Sequence, residues 1–443
     1  MTIKHIIIGL AGSVLLAGSG VLLTGCTLDE FPHNAVSSDN LTEKDCELLL
    51  VGLYNIVQYK PTNNGYAAFD ICGGDLIRAG ASSTGSAQQL IRDLVTPDSG
   101  FISGQWDGYY TALYQVNKFL LALNEMPEGD RRDEMLGIAS FFRGLLYFDL
   151  VSRWGEIPIL EVPATGDVAA SSEADGWAFV ERNLQTAIDL APDFTSRYEV
   201  SRQAAQALMA RVKLAQGKND EAGILAESVI TSGYFSLDGF DKIFRRMDNT
   251  EEIFTFSNLT EETSVNLSGA FYYSRSSENG GSYVYMPTTE AIDMYLPEDL
   301  RREISVAQQG SNNVINKYPG GELNSDPLPI VRLGEMYLIS AEASGRSQAG
   351  LDRLNDLREK RGLTALAMPA DDSSYLTALL NERRLEFLGE NQRWFDLVRT
   401  GRFESTLSLE RKYNRFPIPS REISLNGLLT QNSYWTSAPA GQN

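Results

Sequence analysis

Apolar residues recur at helical spacing through most of the chain beyond residue 40. Leu41, Cys46, Leu49, Leu50, Leu53 and Val57 predict a helix from Leu41 to Tyr59, with Thr42 and Asp45 as an N-cap pair. Trp106, Tyr110, Leu113, Val116, Leu120 and Leu123 mark a second helix from Gln105 to Met126, stopped by Pro127-Glu128-Gly129. Met135, Phe142, Leu146 and Leu150 mark a third, about Arg132 to Ser152, and Gly155 to Pro163 then leaves as an extended segment. Between 175 and 232 the pattern is helix, stop at Pro192, helix, a Gly217-Lys218-Asn219-Asp220 turn and helix again. Small residues (Ala204, Ala207, Ala222 and Ala226 among them) stand where paired helices pack closely. Further helices are expected at 331–346, 349–361 and 374–400.

Two stretches lack this period. Residues 60–104 are rich in Gly, Ser and Thr and read as an exposed loop region; residues 236–330 interrupt the helices, with "EEIFTFSNL" as a strand. The fold expected is therefore mainly α. Tetratricopeptide-like stacked helix pairs form a scaffold over about 105–232 and 331–400, and an irregular flank of loops and short β-hairpins comes from 60–104 and 236–330. Residues 41–443 form one domain.

The end of the helical part, Leu379 to Arg402, reads as one amphipathic helix broken near Gly389. Leu376, Leu380, Phe387, Trp394 and Val398 form its apolar stripe. Its charges lie three apart, Arg383 with Glu386, Glu390 with Arg393 and Asp396 with Arg399, and predict a salt-laced helix closing the helical domain. Glu335, Glu342, Arg383, Glu386, Arg393 and Arg415 are expected to form internal ion pairs without a catalytic role.

The first 25 residues change the picture. Lys4, the apolar Ile6 to Leu23 and the abrupt ending Leu23-Thr24-Gly25-Cys26 read as an export leader cut before Cys26, whose thiol takes the lipid (diacylglyceryl, with a further acyl chain such as palmitate). Multiple acyl chains anchor a protein without a spanning helix. Residues 26–40 are a polar tether. Cys46 and Cys72 remain, and two free thiols are expected over a disulfide because a large core needs no staple.

The formal charge of -20 argues against a nucleic-acid partner, whose binding rests on Lys and Arg neutralising phosphate. The two histidines, His5 and His33, lie in the leader and tether. The body thus lacks a Ser-His-Asp or Cys-His nucleophile and any histidine metal site, and no cofactor is expected. A pair of carboxylates acting as a glycosidase is the one common catalytic device left open.

Four ordered segments resemble the SusD-like (RagB/SusD) family: "ASFFRGLLYFDLVSRWGEIPIL" from Ala139, "LPIVRLGEMYLISAEA" from Leu328, "NERRLEFLGENQRWFDLVRTGRF" from Asn381 and "RFPIPSREISLNGLLTQNSYW" from Arg415. The resemblance implies a lipoprotein of the outer membrane, facing the cell surface, that binds nutrient. It would cap a SusC-like TonB-dependent transporter and pass it a glycan or, as in the RagB-like branch, a peptide. Within "FDICGGDLIRAG" the resemblance points to Asp75 and Arg78 as ligand contacts; an ion pair holding the loop is the alternative. In the cluster around residues 271–285, Tyr272, Tyr273, Tyr283 and Tyr285 offer flat apolar faces with polar tips. They would stack on a sugar, accept a peptide, or pack a hairpin onto the body; the resemblance favours Tyr283 and Tyr285 as the stacking pair. A helical adaptor that assembles proteins is the remaining reading.

Overall fold

The computed structural model describes residues 41–79, 95–259, 265–271, 283–318, 320 and 326–436. Thr42 opens the first helix as a capping box. Its hydroxyl accepts from the Asp45 backbone N–H at 3.2 Å, and the Asp45 carboxylate accepts from the Thr42 N–H at 3.0 Å. The longer helices that follow are α1 (Glu43–Tyr59), α2 (Gly100–Leu123), α3 (Asp130–Trp154), α4 (Glu173–Leu190), α5 (Arg202–Ala215) and α6 (Asn219–Ile230). After an interruption come α7 (Leu333–Ala343), α8 (Gln348–Lys360), α9 (Asp372–Phe387) and α10 (Arg393–Arg399). Each of α1 to α8 packs on the next, and α6 takes α7 as its neighbour although about a hundred residues separate them. The mainly helical, stacked scaffold is thus as expected. Two helices begin earlier than the pattern suggested, at Gly100 and Asp130. Helix α3 is apolar and long enough to cross a membrane, but most of that stretch is buried among its neighbours, as in a core helix.

Among the described residues six short strands flank the stack: β1 (Leu76–Arg78), β2 (Glu252–Phe256), β3 (Tyr285–Pro287), β4 (Val306–Gln309), β5 (Asn312–Ile315) and β6 (Leu328–Arg332). All pair antiparallel, β1 with β3, β2 with β6 and β4 with β5. Only β4–β5 is a local hairpin. The other two pairs join segments far apart in sequence, so the flank is a set of long-range clasps rather than the expected hairpins.

Residues 60–79 correct a second expectation. They are not an exposed loop: Ala67, Ala68, Phe69, Ile71 and Leu76 are buried in the main core. Their period was illegible because the segment is built from pieces of three to five residues, Thr62–Gly65, Ala68–Cys72 and β1. The Gly73-Gly74 pair has a packing cause: a Cβ on Gly73 would lie 2.5 Å from Arg393 Cγ. Cys46 and Cys72 are not joined in a disulfide.

Helix α9 breaks at Gly389, which has φ +83°, and α10 resumes after Asn391 at φ +63°. Two of the three pairs expected at a spacing of three are replaced by longer-range ones. Glu382 and Glu386, one turn apart on α9, and Glu390, just past the break, point inward and meet cations from other elements. Glu382 pairs with Arg301 at 2.7 Å and Arg358 at 2.5 Å. Glu386 pairs with Arg301 at 3.0 Å, with Arg361 at 2.7 Å and with Arg332. Glu390 pairs with Lys317 at 2.6 Å and Arg332 at 2.9 Å. Arg383 reaches forward to Asp396 at 2.7 Å, and only Asp396–Arg399 at 2.8 Å keeps its expected spacing. The wider expectation of internal ion pairs holds, with Glu335 on Arg211 at 2.6 Å, Glu342 on Arg399 at 2.5 Å and Arg415 on Glu173 at 2.5 Å.

Candidate ligand-binding site

The β1–β3 ribbon unites candidate residues about two hundred positions apart. Arg78 stands opposite Tyr285 and Leu76 opposite Pro287. The ribbon is extended at one end by Ala79 N–H donating to Val284 O at 2.9 Å, and at the other by Thr288 N–H donating to Asp75 O at 2.9 Å. Val284 N–H in turn donates to Ala270 O at 2.8 Å, so the short helix Ser268–Phe271 is attached to the same ribbon. Ala79, Phe271 and Tyr283 are the points where the chain enters residues 80–94 and enters and leaves residues 272–282.

Individual roles differ from those expected. Asp75 is buried, and Arg384 of α9 donates to its Oδ1 at 2.7 Å through Nε, with a second nitrogen at 2.5 Å; Arg393 stands at 3.9 Å. It belongs to an ion pair holding the segment, though with these partners and not with Arg78. Tyr283 is 2 % exposed and Tyr285 3 %. The Tyr283 hydroxyl donates to Asn313 O at 2.6 Å, and its ring packs with Ala79 and Val314. Tyr285 belongs to the main core, where burial pushes its phenol well above the ordinary range. Neither ring offers an open face for stacking, because both serve as pegs that seat the ribbon on the body. Arg78 is half-buried. Tyr272, Tyr273 and Cys26 lie outside the described residues.

Arg384 was missed from sequence, and it organises this place: it pairs with Asp75, just before β1, and with Glu290, just after β3, at 2.9 Å, and so joins α9 to the segments that flank the ribbon. No local pattern marks it, since its partners are 309 and 94 residues away. Close by, Asn391 N–H donates to the buried Asp70 carboxylate at 2.6 Å, and its side-chain oxygen accepts from Phe69 N–H at 2.8 Å. Burial, reinforced by Asp75, pushes the Asp70 carboxyl up to about 8 against the opposing effects of that N–H and Lys317.

Concavities lie elsewhere, among them an open one of about 650 Å³ beside Trp177, Glu181, Lys218 and Arg399. An internal cavity of about 80 Å³ is lined by Asp149, Arg211, Arg332, Glu335 and Glu390 among others. It has room for a handful of waters and is far below the size of a small-molecule site. An open groove of about 590 Å³ runs between α2, residues 158–168 and residues 421–429. Among the described residues no group of His, Cys, Asp and Glu is arranged to hold a metal.

Two family profiles match the sequence, one described as "Starch-binding associating with outer membrane" over residues 28–214 and one as "SusD family" over residues 306–414. The chain belongs to the SusD-like family. SusD-like protein P38 of Formosa agariphila is 24 % identical over 461 residues, covering 88 % of this chain and 90 % of that one. The starch-binding protein SusD of Bacteroides thetaiotaomicron is 32 % identical over a shorter stretch, 24 % of this chain and 21 % of that one. Among solved structures, a SusD superfamily protein from Bacteroides vulgatus matches with a TM-score of 0.78 at 22 % identity, over 89 % of this chain and 99 % of the other. A laminarin-binding SusD-like protein matches with a TM-score of 0.77 at 23 % identity, over 89 % and 100 %. Surface glycan-binding protein A of Bacteroides fluxus also gives 0.77, at 22 % identity over 89 % and 100 %. At these identities the structural matches establish the shared fold.

Proposed function

We propose that this SusD-like protein is a cell-surface lipoprotein that binds a glycan and delivers it to a partner SusC-like TonB-dependent transporter. The reading draws support from the starch-binding and outer-membrane description of its family, and from relatives named for binding starch, laminarin and surface glycans. One observation in this chain carries it: Ala79, Phe271 and Tyr283, which border residues 80–94 and 272–282 in sequence, meet at a single ribbon. In this reading Asp75, Tyr283 and Tyr285 hold the ribbon, Arg78 donates to sugar hydroxyls, and Tyr272 and Tyr273 supply the stacking faces. Lipid on Cys26 holds the protein to the outer membrane.

The protein grips its ligand and leaves its bonds intact. Asp107 and Glu422 are two carboxylates in the open groove, and Arg421 lies between them, at 3.1 Å and 3.8 Å, so that both are engaged by the same guanidinium. Burial and Asp107 raise the Glu422 carboxyl, and Arg421 opposes them.

Titration of the purified protein with neutral oligosaccharides tests the proposal. Saturable binding that falls at least tenfold in the Arg78→Ala, Tyr272→Ala, Tyr273→Ala triple variant is expected. Binding of peptides and no glycan, or release of reducing ends that stops with Asp107→Asn or Glu422→Gln, would overturn it.

A further inference from the structure

The open groove between α2, residues 158–168 and residues 421–429 is built from rigid parts. Its α2 wall stands on the core through Trp106, whose ring lies 4.9 Å from that of Tyr110. The Tyr110 hydroxyl donates to Pro158 O at 2.8 Å, and Asn117 donates to Leu160 O at 2.8 Å, fixing the second wall to the first. The third wall is tied to the second by Asn426 donating to Val168 O at 2.8 Å and Gly427 N–H donating to Asp167 at 2.9 Å. Three segments joined in this way make a concavity that exists before any ligand arrives, and its size of about 590 Å³ lies within the range of small-molecule sites.

Its lining has a definite chemistry. Tyr114 is 47 % exposed, an aromatic residue one position beyond the buried stripe of α2 and without a core role. Thr111 and Asp107 precede it on the same helical face, at three and seven residues. Asp107 and Arg421 face each other at 3.1 Å with both side chains about half exposed, so their pairing is weak in water and readily exchanged for hydroxyl groups. A flat apolar ring beside a carboxylate, a guanidinium and a hydroxyl matches a pyranose, whose C–H face is edged by hydroxyls. Two acids, Asp107 and Glu422, stand with Arg421 in the lining, Lys118 lies over one face of the Tyr114 ring at 5.8 Å, and the whole chain carries -20, so an anionic sugar is disfavoured.

We infer that this groove is a second carbohydrate subsite, for a neutral saccharide, separate from the ribbon with its two loops. Tyr114 stacks on the ring, and Asp107 and Arg421 divide between them the acceptance and donation of hydrogen bonds to adjacent hydroxyls. The choice of ligand class rests on the proposed glycan-binding function; the existence of the groove does not.

The experiment is calorimetric titration of the full-length protein in detergent with maltoheptaose, laminarihexaose, xylohexaose and mannohexaose, with saturation-transfer NMR to detect the weaker site. A two-site isotherm is expected for the preferred sugar. Tyr114→Ala and Arg421→Ala should each weaken one site about tenfold or more and leave the other unchanged, with Thr111→Trp, which fills the groove from an exposed position, doing the same. Arg78→Ala should affect the opposite site. A one-site isotherm indifferent to both Tyr114→Ala and Thr111→Trp would overturn the second subsite and leave the proposed function standing. Absence of any sugar binding would overturn both. Binding abolished by Tyr114→Ala alone and untouched at the ribbon would support the groove and overturn the loop site.

Discussion

Glu386 shows how much one side chain can carry. It is fully buried, and three guanidinium groups, from Arg301, Arg332 and Arg361, converge on its two oxygens. Those cations hold its carboxyl well below the ordinary range despite burial, so its contribution to stability is complete above pH 4.5 and is lost only in stronger acid. Glu386→Gln leaves buried cations short of a counter-charge and should cost about 3–5 kcal/mol in urea unfolding. Arg131→Ala, which removes an exposed pairing with Glu47 and Glu134, should cost about 1 kcal/mol or less. Asp70 has the opposite sign. Its carboxyl, at about 8 in the folded protein against 3.8 as its ordinary value, binds a proton more tightly when folded. Its contribution is therefore full below pH 3.8 and is lost as pH rises toward 8. Asp70→Asn keeps an acceptor for Asn391 N–H and removes that titration. The variant should match the wild type near pH 4 and exceed it at pH 8 by an amount on the order of a few kcal/mol. Parallel unfolding curves across that range would refute the assignment.

Between elements, close approach decides what a substitution does. Gly108 sits within α2, where Gly→Ala in an isolated helix stabilises by about 1 kcal/mol. Here a Cβ would lie 2.1 Å from the backbone carbonyl oxygen of Lys60, just beyond the end of α1. Backbone cannot give way as a side-chain tip can, so overpacking should reverse the sign and destabilise by about 1–3 kcal/mol. A higher melting temperature for Gly108→Ala would show that α1 and α2 separate easily. At this scale the sequence was most readable where a helix declares itself within its own residues, as with the Thr42–Asp45 cap, the apolar stripes of α2 and α3 and the break at Gly389. It was least readable where pairing is remote. Glu386 was assigned to Arg383, three residues away, but its partners lie 25 to 85 residues distant; spacing on one helix cannot reveal what packs against it. The tyrosines erred for a related reason. Their polar tips and flat rings suit a ligand, yet Tyr283 spends its hydroxyl on Asn313 and its ring on the core.

In the proposed function the whole molecule divides its tasks between a body and an address. The stack closes over its interruption, with α7 resuming where α6 ended and β2 pairing with β6 to bring the two ends together. This body is acidic and carries most of its Arg side chains in ion pairs, so it has little attraction for an anionic membrane surface. In the proposed function membrane attachment comes from lipid at Cys26, a residue that precedes the described body. Each buried methylene of an acyl chain contributes about 0.8 kcal/mol, and more than one chain is needed for stable anchoring. Cys26→Ala, expressed in a host without the partner transporter so that no protein contact retains it, should therefore leave the membrane fraction for the soluble one, with a mature mass lacking the acyl groups. The helical body should melt as the wild type does, because the fold begins at Leu41. Persistence of the variant in washed membranes would mean that some surface of the body binds lipid after all, and the division between body and address would have to be withdrawn.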